Sequence, residues 1–198
     1  MKLHIMKTNL LKRTVILSFI LLIGISSHSE ELRKLTSLSG FWKFSIGDDI
    51  QWAGISYNDS RWDQLSVPGR WENQGYDDYN GYAWYRKTIV YNSNTTDDRM
   101  VLLMGKIDDI DQVYINGTLV GSTGTFPSKS NRDVFPGAEY NAFRGYYLPA
   151  GFLKKGQKYV IAVRVLDTGG TGGIYEGPVG IISQSKYIEY WRKNKSNQ

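Results

Sequence analysis

The chain has 198 residues with 24 Lys or Arg, 19 Asp or Glu, two His and no Cys, for a net charge of +5. Four of the basic residues, Lys2, Lys7, Lys12 and Arg13, fall within the first 29 positions, which hold no acid; removing four from 24 leaves 20 basic against 19 acidic side chains in residues 30–198. That balance removes the case for nucleic acid or an anionic membrane as a partner.

Residues 15–25 form an uncharged apolar run behind the basic residues. About a dozen residues is too short to span a bilayer, which needs roughly 20. Ser27-His28-Ser29 follows, with small residues where a peptidase would cut before Glu30. The pattern predicts a signal peptide over residues 1–29 and a secreted or periplasmic protein, with no membrane contact after cleavage. The remaining chain, 30–198, is long enough to bury a proper core without disulfides and is expected to form one domain. Both His, His4 and His28, lie in the leader, so residues 30–198 have neither imidazole nor thiol.

Residues 40–46, GFWKFSI, alternate and predict a strand ended by Gly47. Val67-Pro68-Gly69 is a turn. A long loop over 71–82, WENQGYDDYNGY, precedes a strand at 84–90, and 92–99 is a polar turn. The stretch 101–121 then reads apolar strand, acidic corner, β-branched strand, Asn116-Gly117, strand. Asn-Gly between two such runs signals a hairpin, because both residues accept the positive φ of a type I′ turn. A second long connection covers 122–141, a short strand 146–149, a strongly β-branched strand 159–166, a glycine cluster 169–173 and a last strand 174–182. Short strands at regular spacing, little helical periodicity and 21 glycines predict an all-β sandwich.

These segments resemble a known family. KIDDIDQVYINGTLVGS (106–122), WYRK (84–87) and IAVRVLDTGGTGGIYEGPVGI (161–181) are similar to the sugar-binding jelly-roll domain of family 2 glycoside hydrolases. The version also found within sialate O-acetylesterases looks closest. The resemblance covers about 38–182 and implies a β-sandwich of jelly-roll, galactose-binding-like type. It also implies that Trp62, in a turn resembling the family's DDSxW, caps the sandwich, that 150–156 holds a short helix, and that Asp167, Tyr175 and Glu176 lie on a ligand-facing rim. In the family enzymes the matching loop reaches toward the active site of a neighbouring catalytic barrel.

Chemistry is constrained mainly by what the chain lacks. Nucleophilic catalysis of the Ser–His–Asp or Cys–His kind needs an imidazole, and no G-x-S-x-G elbow occurs. Zinc held by His or Cys is excluded on the same ground. The glycine cluster lacks the G-K-[ST] ending of a phosphate loop and reads as a connection needing several positive φ angles. Glycoside hydrolysis needs two opposed carboxylates; there are many acids but no E-x-D-x-x-E run.

Sugar binding needs aromatic faces beside amides, acids and Arg. The 71–82 loop supplies Trp71, Tyr76 and Tyr79 with Glu72, Asp77 and Asn80; the alternative is that two of its aromatics roof the core. Arg86 and Arg144 are further sugar-binding candidates or else form structural ion pairs. Trp42, Trp62 and Trp84 read as core. Asp108, Asp109 and Asp111 are candidate ligands for a structural calcium, of the kind many galactose-binding-like sandwiches hold, or else carboxylates bonded within a tight acidic turn. The expected function is non-catalytic carbohydrate binding in support of glycan breakdown. Two alternatives stand beside it: a docking module for a separate glycoside hydrolase or esterase, and a carboxylate-only glycoside hydrolase.

Overall fold

The computed structural model describes residues 35–128 and 136–195. The leader expected over 1–29 lies outside them, and the compact unit that follows begins at Thr36. Among the described residues ten strands form two antiparallel sheets: β1 (Thr36–Ser37), β2 (Gly40–Ile46), β3 (Asp63–Val67), β4 (Gly81–Val90), β5 (Met100–Asp108), β6 (Ile110–Ile115), β7 (Thr118–Thr123), β8 (Phe143–Tyr147), β9 (Lys158–Asp167) and β10 (Gly173–Ser183). One sheet has the order β1-β10-β5-β8 and the other β3-β2-β4-β9-β6-β7. This is the all-β sandwich that the strand pattern predicted.

The core lies between the sheets. Phe44, Tyr85, Val113, Ile115, Ile161, Val163 and Val165 meet Leu102, Met104, Ile174, Val179 and Ile181 there. The alternation of period two sets the opposite parity outward. On the six-stranded sheet that outward face is covered as well: Trp84, Tyr114 and Ala162 form a second small core with Ala53, Trp52 and Trp62 of the 50–62 segment. Trp62 stands 5.0 Å from Trp52, edge to face, so it caps the outer face of a sheet. This double coverage explains why Ala83, Trp84 and Tyr85 of β4 are buried in succession rather than alternating.

Asn116 and Gly117 close the β6–β7 hairpin at φ +50° and +83°, and the Asn116 side chain accepts a bond from Val160 N–H at 2.8 Å. One expectation fails. Residues 150–156 are turns without a helix, Gly151 and Gly156 both taking positive φ. A helix instead closes the described chain: α1 (Gln184–Lys195), whose Tyr187 and Trp191 pack edge to face on Tyr147 and Phe143 of β8. Its aromatic spacing of four residues, Tyr187 to Trp191, is visible in the sequence.

Candidate functional site

Three connections converge at one end of the sandwich. The β5–β6 corner brings Asp108 and Asp109, the end of β9 brings Asp167, and the 71–82 loop brings Trp71 and Glu72. The links are specific. Trp71 N–H bonds Gly172 O at 3.3 Å, and Gly172 N–H donates to Glu72 Oε1 at 2.7 Å. Asp109 N–H bonds Leu166 O, while Asp109 Oδ2 accepts from Thr168 N–H at 3.1 Å and Thr168 Oγ1 at 2.7 Å. The Asp108–Asp109 peptide is cis.

Gly172 is required by a close approach. A Cβ there would lie 1.9 Å from the Trp71 ring, so the indole sits directly against glycine backbone. The glycine cluster is thus a packed strap over Trp71 rather than a phosphate cradle.

One carboxylate oxygen from each of Asp108, Asp109 and Asp167 lies within 4.8 Å of the others. Asp109 and Asp167 are buried and Asp108 half-buried. Burial pushes the Asp108 carboxyl up to about 8, aided by the hydrogen bond with Asp109 and its charge. Asp167 is pushed up to about 6, again first by burial and further by the charges of Asp109 and Glu72, against the Gly169 N–H bond that lowers it. The third expected calcium ligand is elsewhere. Asp111 faces into the sandwich, where its oxygens are taken by Arg144 Nε at 2.8 Å and the Tyr146 hydroxyl at 2.5 Å. Asp167, expected on a rim, takes its place in the cluster.

The sugar-binding candidates divide. Trp71 has no exposed surface and its indole N–H bonds Tyr79 O at 3.2 Å; it roofs the core and cannot stack on a ligand. Arg86 is buried on the outer face of β4, paired with Asp59 at 2.8 Å and donating to the carbonyls of Trp52, Gly54 and Tyr57. Arg144 is buried beneath the corner, with its donors on Asp111 and on the carbonyls of Glu139, Ala142 and Asp109. Both arginines are structural: each is buried and makes four hydrogen bonds to other groups of the protein, out of reach of solvent-borne hydroxyls. Tyr76 packs edge to face on Phe44 and donates to Asp63, away from the corner. Tyr79 is half-buried against Trp71, and Asp77 and Asn80 are exposed.

Tyr175 and Glu176 remain on a rim beside the acidic corner. The Tyr175 hydroxyl donates to Tyr140 O at 2.7 Å, the Arg70 guanidinium stands 5.8 Å over its ring, and Lys106 pairs with Glu176 at 3.1 Å. Arg70, Lys106 and Tyr140 are additions that sequence reasoning missed. They come from three distant segments, with no local pattern to mark them.

The class defined by this architecture is an all-β sandwich of two antiparallel sheets. No family model matches the chain. Among curated proteins, a beta-galactosidase of Vibrio vulnificus is 44% identical over 46 residues, 21% of this chain and 4% of that protein. A beta-glucuronidase of Formosa agariphila is 25% identical over 142 residues, covering 63% of this chain and 12% of its own length. Among solved structures, a beta-glycosidase from Bacteroides vulgatus aligns with TM-score 0.55 and 27% identity over 74% of this chain and 20% of that one. Bacteroides uniformis beta-glucuronidase 2 aligns with TM-score 0.57 and 21% identity over 74% and 17%. The resemblance to the sugar-binding jelly roll of family 2 glycoside hydrolases is borne out. The chain spans 12% or less of the curated relatives it matches.

Proposed function

We propose that the chain is an exported, non-catalytic carbohydrate-binding domain whose ligand meets the rim around Tyr175. The observation that carries this is the rim itself: a half-exposed tyrosine ring flanked by Arg70, Lys106 and Glu176. An aromatic face beside donors and acceptors is what a pyranose needs, with its C–H surface on the ring and its hydroxyls on the polar groups. The relatives' names add a chemical class, since both beta-galactosidase and beta-glucuronidase act on glycosides.

The clustered carboxylates support binding over hydrolysis. A glycosidase sets two carboxyls about 5–9.5 Å apart across a sugar. Here three lie within 4.8 Å of one another with two of them buried, which leaves no room for a ring between them.

The purified chain applied to a glycan array tests the reading, with Tyr175→Ala and Glu176→Gln alongside. Binding to a defined glycan that Tyr175→Ala abolishes, at unchanged thermal stability, is the expected result. A folded wild-type chain that binds nothing on the array overturns the proposal and turns attention to docking against a separate glycosidase.

A further inference from the structure

We propose that the acidic corner binds Ca²⁺, held by Asp108, Asp109 and Asp167 with Glu72 beside them. The three aspartates present oxygens within 4.8 Å of one another, the span two ligands reach when each lies about 2.4 Å from one ion. Acidic groups cluster on many proteins without a cation, so the case turns on a second feature. Asp167 is 1% exposed, its Oδ1 accepts from Gly169 N–H at 2.8 Å, and its Oδ2 is buried without a hydrogen-bond partner. Glu72 repeats the arrangement: Oε1 is fixed by Gly172 N–H and Oε2 is buried and unpartnered. Each of these orphaned carboxylate oxygens carries a desolvation cost that a bound cation removes.

Nearby positive groups do not fill the need. Arg144 has its donors on Asp111 and on main-chain carbonyls, of which Asp109 O is one. Lys106 turns outward to Glu176. All the available ligands are oxygens, and residues 30–198 contain no His or Cys, which selects a hard cation over zinc. The carboxylates arrive from three separate segments in an irregular arrangement. Ca²⁺ tolerates that, whereas Mg²⁺ demands a near-ideal octahedron. A cation here would tie the β5–β6 corner to the end of β9 and to the 71–82 loop. The assignment stands independently of whether the Tyr175 rim binds sugar.

The test uses the full chain, stripped with EDTA and dialysed, followed by thermal unfolding and calorimetric titration with CaCl₂ or MgCl₂. At a hundredfold excess over Kd, Ca²⁺ is expected to raise Tm by roughly 5–10 °C, and Mg²⁺ by less than half as much. Asp167→Asn and Asp109→Asn are expected to abolish the shift, and Asp98→Asn, an exposed acid elsewhere, to preserve it. Because the two buried variants are the ones at risk of misfolding, Asp108→Asn serves as the half-exposed counterpart and is expected to weaken Ca²⁺ at least tenfold. A folded wild-type chain with neither heat nor Tm shift overturns the proposal. So does a full Ca²⁺ response in Asp108→Asn, or a Mg²⁺ shift as large as that of Ca²⁺.

Discussion

Asp109 and Asp111 are two residues apart, yet they belong to opposite kinds of charged site. Asp111 is wholly buried opposite Arg144, with no exposed surface on either side chain; both of its oxygens have partners, and Arg144 directs its other donors to three carbonyls. At the corner, Asp108, Asp109 and Asp167 cluster, with one buried oxygen of Asp167 and one of Glu72 unpartnered, and among the described residues no Lys or Arg forms an ion pair with them. Where the fold itself buries a charge, it pairs an arginine with a carboxylate and sends the other donors to main-chain carbonyls, as it does again for Arg86 and Asp59. The corner departs from that practice. The contrast is what separates a structural ion pair from a binding site, because groups with complete partners have nothing left to offer a ligand.

The first way to break the comparison is to empty the complete side. Arg144→Met leaves Asp111 and Tyr146 buried without their cation and frees three carbonyls. Breaking a buried pair by removing one partner costs about 3–5 kcal/mol, comparable to the whole stability of many domains. Urea unfolding is expected to show a chain unfolded or barely folded. A midpoint within error of wild type would mean that the pair does not hold the two sheets together.

Part of this division was legible in the sequence. Asp111 shares the parity of Val113 and Ile115, both of which face the core, so a strict period-two reading places it inward, away from Asp108. Asp167 likewise shares the parity of Ile161, Val163 and Val165. The all-β sandwich, the Asn116-Gly117 hairpin and the density of acids at the β5–β6 corner followed from local pattern. The partners did not: Arg144 lies 33 residues from Asp111, and Gly172 lies 100 residues from Glu72. The burial of Trp71 and Arg86 was illegible for a related reason. Each is covered by a segment folding over it, and an aromatic or an arginine in a polar loop looks the same whether covered or not.

A smaller perturbation sharpens the corner's side. Gly172→Ala puts a methyl group into the Trp71 ring, so the strap or the indole must shift, and the Gly172–Glu72 bond shifts with it. Overpacking of this kind costs about 1–3 kcal/mol. Thermal unfolding is expected to show a loss of that size while the Arg144–Asp111 side stays intact. A neutral outcome would mean that the glycine strap moves freely over Trp71 and does not fix the corner.

The mildest test uses pH in cation-free buffer and reads the corner's carboxylates. The Asp108 and Asp167 carboxyls are raised from their ordinary value of 3.8, to about 8 and about 6. Between pH 4 and those values the folded chain therefore holds protons that the unfolded chain has released. Stability is then highest near pH 4 and falls as pH rises, first through about 6 as Asp167 ionises and then through about 8 as Asp108 does. Substitution separates the two steps: Asp167→Asn is expected to flatten the lower part of the profile and Asp108→Asn the upper part. A profile with neither step would show that both carboxyls are already ionised at pH 5, which requires a compensating positive charge at the corner even without added cation.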